Sequence, residues 1–229
     1  MHLHFPAGSH VLFQGDSITD GGRDRGRHLD TGGPREPNAA LGHSYVYLVA
    51  ARAAAQSPGH RWRFTNRGVG GDKVTDLAAR WRTDTLDERP DVLSVLVGVN
   101  DAWRVVEGDS DDLDADRFRT TYDALLTRTR EPLPRLRIVL CEPFSLPGGP
   151  SPDFDDALAA QVLLRQKAVA ELAAEHRAEL VRLQPVFDEA ARRAPAAHWI
   201  HDGVHPTHAG NQLLADAWIT AVAAARPAR

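Results

Sequence analysis

Three residues of the types used in nucleophilic catalysis lie close to the two ends of this chain. Ser17 falls in the segment Gly-Asp-Ser-Ile, directly after the apolar run at residues 11–13, whereas Asp202 and His205 stand three positions apart near the other end. A serine hydroxyl is a weak nucleophile until a base removes its proton, and that base needs a partner that holds its correct tautomer. The sequence therefore predicts that Ser17, His205 and Asp202 act as nucleophile, base and orienting acid.

Acyl transfer also needs hydrogen-bond donors for the negative charge that develops on the attacked carbonyl oxygen. The candidates are the backbone amides of Ser17 and Gly71 and the side-chain amide of Asn100. Each follows an apolar run of the kind that forms a β-strand, so each is expected at a strand end. Taken singly, the same segments are typical of turns and helix caps. Their joint occurrence favours an oxyanion hole.

Apolar, strand-compatible runs alternate with helical patterns along the chain. The predicted strands are at residues 11–14, 62–65, 92–97, 136–140 and 180–183. The predicted helices are at residues 44–55, 73–86, 115–130, 156–176 and 208–224. This alternation predicts an α/β fold with a parallel sheet and helices on both faces, in which ligands bind beyond the carboxyl ends of the strands. Residues 21–37 and 147–152 are predicted to be loops.

Four short segments resemble the sequence blocks of the SGNH (GDSL-like) hydrolase family, and the likeness extends over residues 10–225. Residues 15–18 are similar to the first block, and Gly71 falls at the glycine of the second. Residues 98–101, Gly-Val-Asn-Asp, are similar to the third block, and residues 202–206, Asp-Gly-Val-His-Pro, to the fifth. The resemblance implies a flavodoxin-like, three-layer α/β/α sandwich around a five-stranded parallel sheet.

The same resemblance implies a role for each candidate residue. Ser17 would be the nucleophile, His205 the base and Asp202 the residue that orients the base. Ser17, Gly71 and Asn100 would form the oxyanion hole. No metal ion or other cofactor would be required, and the activity would be that of a carboxylic ester hydrolase.

One departure from the family pattern concerns the residues after the nucleophile. They are Ile18 and Thr19, where the family name has Leu and Ser. Ile18 keeps an apolar anchor and Thr19 keeps a hydroxyl, so the predicted site is little affected. Because Thr19 stands where the Gly-x-Ser-x-Gly elbow of the α/β-hydrolases requires glycine, that other serine-esterase fold is disfavoured.

Composition and charge argue against several other classes of protein. With 229 residues, of which 42% are apolar, the chain can bury a core, and we expect one domain at residues 1–229. The net charge of -4 and the lack of a Lys/Arg block exclude nucleic acid and anionic membranes as expected partners. No signal peptide or membrane-spanning run is visible, so a cytoplasmic location is expected. The single cysteine, Cys141, is predicted to be a core residue.

A cluster of histidines offers an alternative, metal-dependent chemistry. His198, His201, His205 and His208 surround Asp202 in the sequence. Their spacing matches no familiar metal signature such as His-Glu-x-x-His, and no cysteine is near. We therefore expect no catalytic metal, and we expect the histidines other than His205 to lie on the surface or in loops.

The expected partner is a small-molecule ester. Asp16, Arg23, Tyr45 and Trp103 are the candidate substrate-binding residues, because they are polar or aromatic and lie near the nucleophile or Asn100 in the sequence. The lack of a lid insertion or a long apolar loop favours a short acyl group, such as acetyl, on a polar or carbohydrate alcohol. Alternatives on the same triad are a lysophospholipase, a thioesterase and an acyltransferase. Alternatives of other classes are a non-catalytic carbohydrate-binding domain and a metal-dependent hydrolase.

Overall fold

A five-stranded, fully parallel sheet forms the centre of the fold. The computed structural model describes residues 3–25, 38–108 and 114–224. The strands are β1 (His10–Gly15), β2 (Arg63–Asn66), β3 (Val92–Leu96), β4 (Arg137–Cys141) and β5 (Glu179–Val181). Their order across the sheet is β2-β1-β3-β4-β5, and every neighbouring pair is parallel. All five predicted strands are confirmed, with small shifts at their ends.

Helices occupy the connections between the strands, as parallel neighbours require. The described helices are α1 (Ser17–Asp20), α2 (Tyr45–Gln56), α3 (Val74–Trp81), α4 (Val99–Val106), α5 (Ala115–Arg130), α6 (Pro152–Glu175), α7 (Gln184–Ala191), α8 (Ala196–Trp199) and α9 (His208–Ala224). A π-helical segment, Arg82–Leu86, extends α3, and a 3-10 turn, Pro58–His60, follows α2.

Strand side chains alternate between two hydrophobic clusters, one on each face of the sheet. In β1, Val11 and Phe13 belong to the cluster that includes the buried faces of α2 and α9, whereas Leu12 belongs to the cluster that includes α3, α5 and α6. This alternation follows from the two-residue period of a strand. Every residue of β3 is buried, as expected for a central strand covered on both faces. The predicted three-layer α/β/α sandwich is confirmed.

The structure also corrects several element predictions. Helices α1, α4, α7 and α8 were not predicted. Helix α6 begins at Pro152 and not at residue 156, because the Ser151 hydroxyl accepts a hydrogen bond from the Phe154 amide over 3.2 Å and proline is tolerated in the first helical turn. Of the predicted loop at residues 21–37, residues 26–37 lie outside the described ranges.

Two further predictions concern single features of the chain. Within the described ranges, none of the helices has both the length and the apolar character needed to cross a membrane. Cys141 is fully buried with a free thiol, and burial raises the pKa of this thiol to about 12. Cys141 is therefore a packing residue, as predicted, and is unsuited to act as a nucleophile.

Candidate active site

Strands β1 and β3 lie side by side at the point where the strand order reverses. The chain leaves β1 for β2 on one side and later enters β3 on the other. In an open parallel sheet, such a switch point opens a crevice beyond the carboxyl ends of the strands, where ligands bind. Ser17 begins α1 just beyond β1, and Asn100 lies in the first turn of α4 just beyond β3. The topology therefore brings two candidate site residues to the same crevice.

Ser17, His205 and Asp202 form a continuous hydrogen-bonded chain. Ser17 Oγ lies 2.7 Å from His205 Nε2, and His205 Nδ1 lies 2.7 Å from Asp202 Oδ2. When the ring proton is on Nδ1, the N–H group donates a hydrogen bond to the carboxylate, and the lone pair on Nε2 can accept the hydroxyl proton. The arrangement therefore has the geometry that a nucleophile, its base and an orienting acid require.

A tight turn fixes His205 relative to Asp202. The His201 amide donates a hydrogen bond to the carbonyl of His205 over 3.1 Å. Gly203, inside the turn, has a φ of +93°, a conformation that favours glycine. The carbonyl of Gly203 accepts a hydrogen bond from the Leu146 amide over 3.0 Å. The turn is thus closed on itself and tied to the segment between β4 and α6.

Hydrogen bonds favour the ionised form of Asp202. Partial burial alone would raise the pKa of its carboxyl group, but hydrogen bonds from the His205 amide and ring hold this pKa below its usual value. The Val204 amide donates a further bond over 3.2 Å. An ionised Asp202 accepts a hydrogen bond from the N–H group at His205 Nδ1, and it can stabilise the imidazolium that forms when Nε2 takes a proton.

The position of Ser17 depends on a crowded junction between β1 and α1. A Cβ atom on Gly15 would lie 2.3 Å from the carbonyl oxygen of Leu96, so a larger residue does not fit there without a shift of β3. Asp16 caps α1, since its Oδ1 atom accepts a hydrogen bond from the Ile18 amide over 3.0 Å. The chain therefore turns at once after the strand and presents Ser17 at the edge of the sheet.

The carboxyl group of Asp16 is buried behind the nucleophile. Asp16 is 1% exposed, and its Oδ2 atom has no hydrogen-bond partner among the described residues. Burial raises the pKa of Asp16 to about 7, against the opposing effect of the Ile18 amide. Asp16 therefore positions the helix that carries Ser17, and the prediction that Asp16 binds substrate is contradicted by its burial.

The candidate oxyanion donors lie at the carboxyl ends of β1, β2 and β3. Asn100 Nδ2 donates one hydrogen bond to the carbonyl of Asp72 over 3.0 Å, which fixes the amide and leaves a second proton on the same nitrogen. Gly71 is exposed, with a φ of +85°. Its neighbour Gly70 borders the nucleophile, since a Cβ atom on Gly70 would lie 3.8 Å from Ser17 Cβ. The loop after β2 therefore runs beside the serine.

Asn66 was not predicted as a site residue, yet its side chain joins three segments around the nucleophile. It is buried at the end of β2, and its Nδ2 atom donates to the carbonyls of Thr19 and Leu41 over 2.7 and 2.8 Å. Its Oδ1 atom accepts from the Gly68 amide over 2.9 Å. Asn66 thereby links α1, the segment before α2 and the loop that carries Gly71. The available signal was an asparagine at a strand end, a residue typical of Asx turns.

Arg80 on α3 attaches the loop after β2 to the rest of the site. Its guanidinium donates to the carboxylate of Asp72 over 2.7 Å, and to Gln14 Oε1 and the carbonyl of Arg67 over 2.8 Å each. No local pattern singled out this residue, because an arginine on a helix is usually a solvated surface residue. The structure shows that Arg80 supports both the end of β1 and the loop beside Ser17.

Tyr45 does not reach the surface of the site. It is fully buried, and its ring packs edge-on against Phe13 with the centroids 5.8 Å apart. Its hydroxyl lies 3.3 Å from Thr19 Oγ1. The prediction that Tyr45 binds substrate is therefore wrong. An aromatic residue near a catalytic segment has the same sequence signature whether it faces the core or a ligand.

The structure places Trp103 and Arg23 on different sides of the site. Trp103 lies one turn after Asn100 on α4 and packs edge-on against Phe154 of α6, with ring centroids 4.6 Å apart. Arg23 Nε donates to the carbonyl of Gly68 over 2.9 Å, and burial lowers the pKa of this guanidinium to about 10. Arg23 also lines a cavity of about 690 Å³ that extends toward α2. Arg23 therefore follows α1 and contacts the loop after β2, whereas Trp103 lies on α4.

The histidines around Asp202 occupy different environments. His198, His201 and His208 are exposed, as predicted, while His205 is half-buried. One ligand atom each from His201, Asp202 and His205 lies within 4.8 Å of the others, so these three residues could hold a metal ion.

Comparison with known proteins identifies the family to which this geometry corresponds. Residues 13–213 match the GDSL-like lipase/acylhydrolase family. The chain belongs to this family. The resemblance seen in the sequence blocks is thereby confirmed, and the protein is a carboxylic ester hydrolase, as predicted.

Several relatives match this family member over nearly its whole length. An acetylxylan esterase from Geobacillus stearothermophilus is 32% identical over 216 residues, which is 93% of each chain. The crystal structure of Axe2, an acetylxylan esterase from that organism, has a TM-score of 0.81, with 30% identity over 98% of each chain. The structure of a GDSL-like lipase from Parabacteroides merdae has a TM-score of 0.87, with 35% identity over 97% of this chain and 99% of that one. Solved structures of Axe2 include catalytic mutants in which a serine or an aspartate is replaced by alanine.

Proposed function

We propose that this GDSL-family hydrolase removes acetyl groups from the hydroxyls of a carbohydrate through an acyl-enzyme on Ser17. The observation that carries the proposal is the hydrogen-bonded chain from Ser17 through His205 to Asp202, with two contacts of 2.7 Å. The substrate class is supported by the relative named acetylxylan esterase, which matches 93% of the chain.

In the first half of the reaction, Ser17 Oγ attacks the ester carbonyl carbon while its proton passes to His205 Nε2. Asp202 keeps the ring in place and stabilises the imidazolium. When the tetrahedral intermediate collapses, the carbohydrate alcohol leaves with the proton from His205, and the acetyl group remains on Ser17. Water then attacks this ester with His205 again as the base, and acetate and the free serine are released.

The negative charge on the attacked oxygen is met by three donors in this proposal. They are the backbone amides of Ser17 and Gly71 and the side-chain amide of Asn100. The bond from Asn100 to the carbonyl of Asp72 holds the donor in position before substrate arrives, so little reorganisation is needed during the reaction. Preorganised donors of this kind contribute mainly to the rate of the chemical step.

We assign the surroundings of the leaving alcohol to Trp103, Phe154 and Arg23. Trp103 and Phe154 provide an apolar wall, and the Arg23 guanidinium is a hydrogen-bond donor next to the loop after β2. A small number of polar groups on a partly apolar lining suits a polar alcohol that carries a short acyl group.

A panel of esters tests the proposed substrate class. We expect release of acetate from acetylated xylo-oligosaccharides, and a decline in kcat/KM for p-nitrophenyl esters as the acyl chain lengthens from acetate to octanoate. Ser17→Ala serves as the matched control and should release no acetate above background. A preference for octanoate, or intact acetylated oligosaccharide after incubation with the wild type, would contradict the proposal.

A further inference from the structure

The carboxylate of Asp202 lies between the imidazole rings of His201 and His205, and only His205 has a role in the proposed esterase reaction. Asp202 Oδ2 is 2.7 Å from His205 Nδ1 and 3.5 Å from His201 Nε2. The two rings lie nearly parallel, at 26°, with their centroids 5.8 Å apart. His201 therefore faces the same carboxylate oxygen that orients the base.

This group of side chains is open to solvent. The side chains of His201, Asp202 and His205 are 60%, 41% and 39% exposed. Among the described residues, the His201 ring has no polar contact other than the one to Asp202. The ring is therefore free to adjust its position, and an ion from solution can reach all three side chains without opening the fold.

We propose that His201, Asp202 and His205 form a zinc-binding site whose occupation inhibits the enzyme. The inhibitory effect rests on the proposed function, since it requires His205 to be the base. The residues supply two imidazole nitrogens and one carboxylate oxygen, a ligand set that zinc uses together with a water molecule in open sites.

The carboxylate oxygen of Asp202 lies near one nitrogen of each imidazole, at spacings close to those that a tetrahedral ion requires. Zinc binds nitrogen and oxygen ligands at about 2.0–2.2 Å, which places neighbouring ligand atoms roughly 3.3–3.5 Å apart. The contact of 3.5 Å between His201 Nε2 and Asp202 Oδ2 already meets this spacing. The contact of 2.7 Å between His205 Nδ1 and Asp202 Oδ2 must open slightly, which the partial exposure of both side chains permits. Hard cations such as Mg²⁺ prefer oxygen ligands and do not suit a set with two imidazoles.

Zinc at this position would disable the base through its tautomer. A metal ion on Nδ1 of a neutral His205 replaces the proton at that nitrogen, and the ring then carries its proton on Nε2. Nε2 is the atom that must accept the proton of Ser17, so a protonated Nε2 cannot activate the serine. The ion also binds the carboxylate of Asp202, which then no longer stabilises an imidazolium at His205. Bound zinc therefore prevents turnover and leaves Ser17 chemically unchanged.

The test compares wild type with His201→Gln, and uses His198→Gln as the matched control because His198 is also exposed and lies outside the cluster. In the wild type, we expect micromolar to millimolar Zn²⁺ to inhibit hydrolysis of p-nitrophenyl acetate, chelator to restore it, and Mg²⁺ to have no effect. With each rate taken relative to that of the same variant without zinc, His201→Gln should need about tenfold more Zn²⁺, or more, for half-inhibition. His198→Gln should respond as the wild type does.

Calorimetry separates the metal site from the esterase reaction. Ser17→Ala should bind one Zn²⁺ per chain, and adding His201→Gln should weaken that binding about tenfold or more. Equal zinc sensitivity of His201→Gln and wild type, or equal zinc affinity with and without His201, would overturn the proposal. An inactive wild type would refute the proposed function, while the calorimetric comparison would still decide whether the metal site exists.

Discussion

At the scale of single residues, Asp16 is a helix cap whose burial disfavours its ionised form. Its side chain caps the helix that begins at Ser17, yet its second carboxylate oxygen is buried without a hydrogen-bond partner among the described residues. Burial raises the pKa of Asp16 from 3.8 to about 7 in the folded protein. In the unfolded chain, the carboxyl group of Asp16 has a pKa near the ordinary value of 3.8. The contribution of Asp16 to stability is therefore fully present below about pH 4 and is lost as the pH rises through about 7.

Asp16→Asn should remove this pH dependence, because an amide keeps a cap acceptor for the Ile18 amide and cannot ionise. Relative to the variant, the wild type should lose up to about 4 kcal/mol of unfolding free energy between pH 4 and pH 8. Urea unfolding at a series of pH values measures this difference. Asp156→Asn, at an exposed position, is the control, and its unfolding free energy should depend on pH as that of the wild type does. Parallel stability curves for Asp16→Asn and wild type would show that Asp16 does not titrate as stated.

Asn100 is the candidate oxyanion donor whose contribution can be removed by mutation of a side chain. Asn100→Ala should lower kcat by roughly 100- to 1000-fold with a small effect on KM, because the lost hydrogen bond acts mainly on the transition state. Steady-state kinetics with p-nitrophenyl acetate measures the effect, and thermal unfolding verifies that the variant is folded. A loss in kcat below threefold would remove Asn100 from the oxyanion hole.

At the scale of elements, the site depends on how β1 ends and α1 begins. Gly15 lies where β1 passes β3, and a Cβ atom there would meet the Leu96 carbonyl at 2.3 Å. The Asn66 side chain and the Arg80 guanidinium then connect this junction to the loop after β2. The turn that carries Ser17 and the loop after β2 are thereby held by the same few contacts.

Gly15→Ala should separate the ends of β1 and β3 and destabilise the protein by roughly 1–3 kcal/mol or more, as overpacking of a close contact does. The activity of the folded fraction should also fall, since Ser17 and Asn100 follow these two strands. Gly59→Ala is the matched control, because a Cβ atom at Gly59 would meet no atom within 4 Å. Denaturant unfolding and specific activity measure both effects, and equal behaviour of the two variants would contradict the stated role of Gly15.

The sequence predicted the strands better than the helices, for physical reasons. The buried strands β3 and β4 leave nearly continuous apolar runs in the sequence. The edge strands β2 and β5 are only partly buried, and shorter runs of strand-compatible residues marked them. Helix α4 was missed because its first residues, after Gly98, are of turn-forming types. Its stability comes instead from packing and from Asp101, whose buried carboxylate accepts a hydrogen bond from the Val74 amide of α3 over 3.1 Å. Such a long-range contact leaves no local pattern in the sequence.

At the scale of the whole molecule, the fold brings together segments from opposite ends of the chain. The serine turn after β1 and the turn before α9 meet because the sheet order places β1 next to β3 and because α9 packs beside α2. The candidate triad could be predicted because each member has a distinct residue type and sequence block. The substrate-facing residues could not be predicted equally well, since Tyr45 and Asp16 proved to be buried. Whether a side chain faces the core or the crevice is decided by packing and not by residue type.

Labelling of Ser17 is the most direct test of whether this protein is a serine esterase that uses the Ser17, His205 and Asp202 triad. A fluorophosphonate should modify the wild type at one residue, Ser17, as identified by peptide mass, and hydrolysis of p-nitrophenyl acetate should be lost in proportion to labelling. Ser17→Ala should be folded, unlabelled and slower by roughly ten-thousand-fold or more. Labelling at another residue, or turnover by Ser17→Ala close to that of the wild type, would contradict the assignment of Ser17 as the nucleophile.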